Sequence, residues 1–291
     1  MTTARPLPRT IWICWLQGWE QAPPIVKACL ATWERRNPGW EVVRLDRGNV
    51  GAHLELDFPL DGYPPNVAAN FIRVLLLREH GGVWADGTLY CVAPLDSWLD
   101  PLVEPEGFFA FDRPAPDRML ANWFLAATPG QPLIDTFAES MREYWRERTE
   151  ADRYFWFHQL WAEAYRDLPE FRRAWDGMPK RSANGPHYFA PDYARRLARP
   201  LRPHLRQRLV AATDPVYKLS HRLPGFEPGP DSVYEFLLSW AEQEAPPAPT
   251  PAAGTLKARM ALDRGAERLR WSYLGASQRG KAALRRARGR T

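Results

Sequence analysis

The first 45 residues constrain the fold more than any other stretch. RTIWICW (9–15) is apolar almost throughout, as a strand buried on both faces of a sheet must be. Gln17-Gly18 ends it. Pro23-Pro24 then opens a helix, predicted over 24–36, which stops at Asn37-Pro38-Gly39. WEVVRL (40–45) reads as a second strand. Strand, helix, strand at this spacing predicts two parallel strands joined by a right-handed crossover, hence an α/β sheet. In such sheets ligands bind at the carboxyl ends of the strands.

The rest of the chain extends this pattern. Pro64-Pro65-Asn66 starts a helix with Val67, Phe71, Val74, Leu75 and Leu77 at helical spacing, ended by Gly81-Gly82. Short strands, Val83–Ala85 and Leu89–Val92, flank an Asp86-Gly87-Thr88 turn. Phe108–Phe111 and Trp123–Ala127 are further strand candidates, and Gln131–Trp145 and Tyr154–Tyr165 read as helices. From Pro169 to Pro230 prolines break the pattern. Asp231–Trp240 reads as a short helix with an Asp cap. APPAPTPAAGT (245–255) is a Pro/Ala linker, extended and semi-rigid, and 256–291 is a basic, helix-compatible tail. The expected organisation is one domain over 1–244, a linker and a tail.

Asp86 stands at the carboxyl end of a predicted strand. A carboxylate there can bind a hard cation, and Mg²⁺ or Mn²⁺ can bridge a nucleotide diphosphate while keeping few protein ligands. The plainer reading is a β-turn that Asp86 begins and for which Gly87 supplies the unusual dihedrals. The turn alone leaves both readings open.

FIRVLLLREHGGVWADGTLYCVAPL (71–95) resembles the hallmark of the glycosyltransferase family with a DXD-containing sugar-binding region, in its capsular polysaccharide synthesis protein branch. The residues that carry the likeness are Arg73, Leu75–Leu77, His80, Gly81-Gly82, Asp86 and Pro94-Leu95. IWICWLQGWEQAPPIVKACLATWERRNPGWEVVRLD (11–46), NWFLAATPGQPLI (122–134), DRYFWFHQLW (152–161) and YKLSHR (217–222) resemble further blocks of that branch, in order, over about 9–240.

The resemblance implies a GT-A-type nucleotide-sugar-binding fold with a mostly parallel central sheet flanked by helices. It also implies a divalent metal, Mn²⁺ or Mg²⁺, and a retaining sugar transfer in polysaccharide biosynthesis. It puts Trp15, Leu16 and Gln17 in the nucleotide pocket, Arg73 against sugar or diphosphate, Asn122 at the sugar pocket and Lys218 on the diphosphate. Asp86, Arg73 and Asn70 become the catalytic group, and Asp86, Thr88 and His221 the metal set. Trp123, Trp156, His158 and Asn184 (in SANGPHYF, 182–189) are candidates for the acceptor or sugar pocket. Trp156 and His158 also read as helix packing, and SANGPHYF as an ordinary turn.

The chain departs from the family pattern twice. Ala69-Asn70 stands where the pattern has Ser-Asp, and Thr88 replaces the second carboxylate of the DXD motif, a change the capsular branch commonly tolerates. Two negative charges are lost, so metal affinity falls or another group completes the shell. Two functions follow. One is an enzyme moving sugar from a nucleoside-diphosphate sugar to a glycan, lipid-linked or small-molecule acceptor. The other is a degenerate nucleotide-sugar or glycan-binding protein without turnover.

Charge and composition set the surroundings. Residues 246–291 hold 11 Lys/Arg and 2 Asp/Glu; taking that surplus from the chain's +5 leaves the body at −4. The tail suits an anionic membrane surface or a solvated or partner-binding helix. Nucleic acid is not an expected partner, because no recognition module is present. Three scattered cysteines, with no CxxC, suit a reducing cytoplasm. No apolar run reaches the ~18 residues of a membrane span, and the N-terminus does not read as a signal peptide. The expected location is cytoplasmic, with the tail allowing peripheral contact at the inner membrane face. Fourteen tryptophans offer flat faces for sugars or bases, although large aromatics commonly serve the core.

Overall fold

The computed structural model describes residues 6–55 and 62–243. The expected linker (245–255) and basic tail (256–291) lie outside the described residues. The opening unit forms as expected. β1 (Thr10–Cys14) and β2 (Glu41–Leu45) run parallel, joined by α1 (Pro24–Arg36). Pro24 sits in the first turn of α1, where a missing N–H breaks no helical bond. Asn37 closes the other end: its amide nitrogen donates to the Trp33 carbonyl (2.9 Å) and its Oδ1 accepts from the Leu95 N–H (2.8 Å). The buried helix end is thereby satisfied.

After α2 (Pro65–Glu79) come β3 (Gly82–Asp86), β4 (Leu89–Cys91), α3 (Asp100–Val103), β5 (Phe108–Ala115) and β6 (Arg118–Ala127). Then follow α4 (Pro132–Trp145), α5 (Trp156–Asp167), α6 (Pro169–Gly177), α7 (Tyr193–Ala198), α8 (Pro203–Val210), β7 (Val216–Lys218) and α9 (Val233–Ala241). Ser232 caps α9 by accepting from the Glu235 N–H, in place of the expected Asp231.

The main sheet has the order β2-β1-β3-β6-β5. β1 pairs parallel with both β2 and β3, and β6 pairs antiparallel with β3 and β5. Four of the five strands therefore point the same way, with β6 reversed. Gly81 and Gly82 take φ of +67° and +92° between α2 and β3. A Cβ on Gly82 would stand 2.6 Å from the Thr10 carbonyl oxygen, so only glycine lets β3 start this close to β1.

The strands alternate between two buried faces. Trp12, Cys14, Trp84 and Leu125 pack with residues of α2, α4, α5 and α6. Ile11, Ile13, Val83 and Ala85 pack with Trp33, Trp98 and Phe109 on the other face. Asp86, two residues after Trp84, thus falls on the α2 side. A second, two-stranded sheet pairs β4 with β7 antiparallel, Leu89 opposite Lys218. Around it, Tyr90, Tyr217 and Trp240 join residues of α1, α8 and α9 in a third cluster.

Candidate functional site

Asp86 ends β3 beside Cys14, the last residue of β1. The site grows from that pair of strand ends. Trp15, Leu16 and Gln17 leave β1 there. α2 brings Asn70 and Arg73, one turn apart on its buried face. The β4–β7 pairing brings Lys218 next to Thr88, secured by the Leu219 N–H donating to the Thr88 carbonyl (2.9 Å).

Gly87 lets these parts close up for a steric reason. Its backbone is not in the left-handed region, contrary to the expectation that it supplies unusual dihedrals. A Cβ there would stand 3.2 Å from the Cys14 carbonyl oxygen and 3.3 Å from Trp15 Cε3.

Asp86 is enclosed by donors. Its Oδ1 accepts from Arg73 Nη2 and from the Trp84 indole, both at 3.0 Å; its Oδ2 accepts from Lys218 Nζ at 2.9 Å. Lys218 Nζ also donates to Thr88 Oγ1 at 2.5 Å. Burial opposes the charged carboxylate, but Lys218, Arg73 and the Trp84 indole outweigh it and hold Asp86 down to about 2.

The Arg73 guanidinium is 5.1 Å from the Trp84 ring centre and 5.8 Å from that of Phe157. Its Nη1 donates to the Asn122 carbonyl, and its Nε is buried without a partner. Burial lowers its pKa, with Asp86 working against that shift. Asn122 Nδ2 donates to Asn70 Oδ1 at 3.2 Å, so the two amides face each other beside this ion pair.

These groups line a cavity of about 510 Å³ at the carboxyl ends of β1 and β3. Trp156 and His158 of α5 line it too, as does His221, whose ring packs edge-on against Trp15 with centres 4.9 Å apart. Burial, Arg118 and Arg73 push the His158 pKa down to about 3, so its imidazole is neutral; its Nδ1 is buried without a partner. Burial, Arg222 and Lys218 lower that of His221.

Among the described residues, four cationic side chains line the cavity (Arg73, Arg118, Lys218 and Arg222) against one carboxylate, Asp86. A larger and more open hollow of about 1210 Å³, lined by residues of α4 and α5, has four acidic and four basic residues. It lacks any charge preference and lies away from Asp86. The smaller cavity is the one built for an anion.

Two expected residues lie elsewhere. Trp123 packs in the cluster on the opposite face of the sheet, stacked on Phe111 with centres 5.3 Å apart, and its indole donates to His187 Nε2 at 2.8 Å. Neighbouring residues of a strand point to opposite faces, so Asn122 and Trp123 do not share the cavity. Asn184 follows Ser182, which bridges to Asp112 of β5, and it does not line the cavity.

Other residues escaped the sequence reading. Trp84, two residues before Asp86 on its strand, was legible from the period of two. Arg118, which lies 4.4 Å from the Phe155 ring centre at the cavity, carries no local signal. Its place depends on the β5–β6 hairpin.

The expected metal set is rearranged. Asp86 and Thr88 share the Lys218 ammonium, and no group of three or more His, Cys, Asp and Glu side chains among the described residues is placed to hold a metal. A divalent cation favours several oxygen ligands, mostly anionic. Here the one carboxylate has both oxygens taken by cationic or N–H donors. The residues present do not fit a divalent ion.

This fold is shared with a solved glycosyltransferase. The solved apo-form glycosyltransferase GlyE of Streptococcus pneumoniae superposes with a TM-score of 0.50, over 88% of this chain and 64% of that one, at 8% identity. Residues 2–237 match the capsular polysaccharide synthesis protein family, and the chain belongs to it. Two curated relatives are similar over shorter stretches. One is the O-glycosyltransferase braB of Annulohypoxylon truncatum, 29% identical over 47% of this chain and 38% of its own length. The other is the putative glycosyltransferase HOC1 of Saccharomyces cerevisiae, 26% identical over 44% and 37%. The matched region therefore spans under two-fifths of those relatives.

Proposed function

We propose that the protein is a retaining glycosyltransferase that takes a sugar from a nucleoside-diphosphate sugar and passes it to a hydroxyl of a glycan, a lipid-linked glycan or a small molecule. The observation that carries this reading is the charge of the cavity: four cations and one carboxylate at the strand ends, in a body of net charge −4. A diphosphate is the ligand such a lining favours. Family membership and the glycosyltransferase fold support the same reading.

In this proposal the nucleotide lies along Trp15–Gln17 and the diphosphate against Lys218. The sugar faces Asn70 and Asn122, with Trp156 and His158 toward the acceptor. The bond from the anomeric carbon to the diphosphate oxygen breaks as the acceptor oxygen arrives on the same face. The acceptor proton passes to the departing phosphate oxygen, and the nucleoside diphosphate leaves. Negative charge grows on the leaving oxygen, and a fixed ammonium close to it lowers the barrier without reorganising. Asp86 is a positioning residue for Lys218 and Arg73. It stays ionised and attacks nothing. No step runs through a metal ion.

Asn70 and Thr88, standing where the family pattern carries carboxylates, favour a second reading: a protein that holds the nucleotide sugar without turnover. Incubation with a panel of nucleotide sugars and analysis of products by NMR separates the two. Release of nucleoside diphosphate with transfer or hydrolysis of a sugar in its original anomeric configuration is expected. Binding without consumption of any donor leaves the second reading, and an inverted product contradicts the retaining mechanism.

The basic tail offers contact with an anionic membrane surface as part of this proposal. No helix among the described residues is long and apolar enough to cross a membrane. Loss of liposome association on deleting 246–291 would support that contact, and unchanged association would remove it.

A further inference from the structure

We infer that Lys218 is the resident cation of the donor site: its ammonium takes the place that a divalent metal would hold between Asp86 and Thr88, and nucleoside diphosphates bind without a metal. The inference rests on the donor-site reading above.

The observation is a juxtaposition. Lys218 Nζ lies 2.9 Å from Asp86 Oδ2 and 2.5 Å from Thr88 Oγ1, the two side chains at the ends of the Asp86-Gly87-Thr88 turn. The position of Lys218 beside the turn is fixed by the main chain, and its side chain by the two contacts just given. The Lys218 N–H donates to the Pro186 carbonyl (2.9 Å), the next N–H donates to the Thr88 carbonyl (2.9 Å), and Lys218 pairs with Leu89 across the small sheet. The side chain is largely enclosed, at 18% exposed.

The charges agree with this assignment. Arg73 and Asp86 alone form a neutral pair; with Lys218 the group is positive before any ligand arrives. Adding a divalent ion would bring two more positive charges against an ammonium and a guanidinium, with both oxygens of the carboxylate already engaged. The pattern's missing carboxylates fit the same account. A single positive ammonium needs less negative charge around it than a divalent ion, and Asn70 and Thr88 supply less. An ammonium has three N–H donors. Asp86 and Thr88 take two, which leaves one donor and the charge for a phosphate oxygen.

The test uses the full chain, exhaustively dialysed against EDTA. Binding of UDP, GDP, ADP and dTDP is measured by calorimetry in EDTA and again in excess MnCl₂, and free Mn²⁺ is followed by EPR. At least one nucleotide is expected to bind with the same Kd in both buffers, and the protein alone should leave the free Mn²⁺ signal unchanged. Lys218→Met, its fold checked by circular dichroism, should weaken that binding about 10- to 100-fold in EDTA, the worth of a charged hydrogen bond. Binding by the wild type that disappears in EDTA and returns with MnCl₂ overturns the inference and leaves the glycosyltransferase reading standing. So does a Lys218→Met variant that binds as tightly as the wild type. If no nucleotide binds in either buffer, the donor-site reading itself fails, and this inference with it.

Discussion

Asp86 and Asp112 are two enclosed aspartates on strands of one sheet, and their environments pull them in opposite directions. Asp86 ends β3 and is met by Lys218, Arg73 and the Trp84 indole, which overcome burial and hold its carboxyl down to about 2. Asp112 lies in β5, where burial dominates and raises its pKa; Lys180 and Arg113, the latter 3.7 Å away, counter this only in part. Burial alone therefore does not make a charged site. The difference lies in what the topology brings to each position. β3 ends where α2, β6 and β7 converge. β5 is at the sheet's edge, where Asp112 exchanges backbone hydrogen bonds with the 181–183 segment (2.8 Å each). One carboxylate organises cations around a cavity, and the other is a largely solvent-excluded acid with a weaker escort.

Breaking the first environment should have the largest effect. Asp86→Ala leaves the enclosed Arg73 and Lys218 without their carboxylate, and a broken buried pair costs about 3–5 kcal/mol. Thermal unfolding should show a marked loss of stability, together with loss of donor binding. A variant as stable as the wild type would show that the ion pair is not the structural centre proposed here.

Lys218→Met should separate stability from function. Its loss leaves the Arg73–Asp86 pair intact, so stability should fall by less than in Asp86→Ala, where both enclosed cations lose their carboxylate. Turnover should fall about 10- to 100-fold if the ammonium meets the diphosphate. Equal losses in both measurements would reduce Lys218 to a structural ion-pair partner.

Gly87→Ala sharpens the steric side of the comparison. A Cβ 3.2 Å from a backbone carbonyl and 3.3 Å from Trp15 must displace the indole or the strand end. Overpacking of this kind costs about 1–3 kcal/mol. A raised KM for the donor is expected, since Trp15 lines the cavity; unchanged kinetics would mean that the nucleotide does not lie against Trp15.

Asp112→Asn should have the smallest effect and the opposite sign on stability. It removes a charge whose burial is incompletely offset, so the midpoint of thermal unfolding at neutral pH should rise by a few degrees, about 1 kcal/mol for a domain of this size. The pH dependence follows the same signs. Asp86, whose folded pKa is depressed from 3.8 to about 2, contributes stability that is complete above its ordinary value and is lost as the pH falls toward 2. Asp112, whose folded pKa is raised, costs stability above its ordinary value, and that cost is relieved as the pH falls. Unfolding curves of the two variants against pH should therefore diverge from the wild type in opposite senses at neutral pH. Parallel curves would contradict the contrast.

Local signals in the sequence carried the parallel opening unit, α2 with its glycine stop, and the Asp86 turn at a strand end. Each depends on residues adjacent in the chain: prolines in first turns, a period of two, glycines where backbones approach. The β4–β7 pairing could not be read this way, because Leu89 and Lys218 are far apart in sequence and β7 sits in a proline-broken stretch. Resemblance alone singled out Lys218, and it gave the diphosphate as its partner without revealing Asp86 and Thr88 as its anchors. Trp123 lies on the other face of the sheet from Asn122, as strand parity requires. Asn184 lies in a turn whose sequence does not say which side of the sheet its loop covers, and it does not line the cavity. Arg118 and Phe155 come together only in the folded chain.

If the Asp86-organised cavity is a sugar-donor site, as proposed, consumption of nucleotide sugars by the wild type and by Asp86→Asn, with products followed by NMR, tests it most directly. The wild type should convert one donor to nucleoside diphosphate and a sugar product of unchanged anomeric configuration, and the variant should lose most of that activity. Donor consumption by Asp86→Asn at the wild-type rate would contradict the donor-site reading.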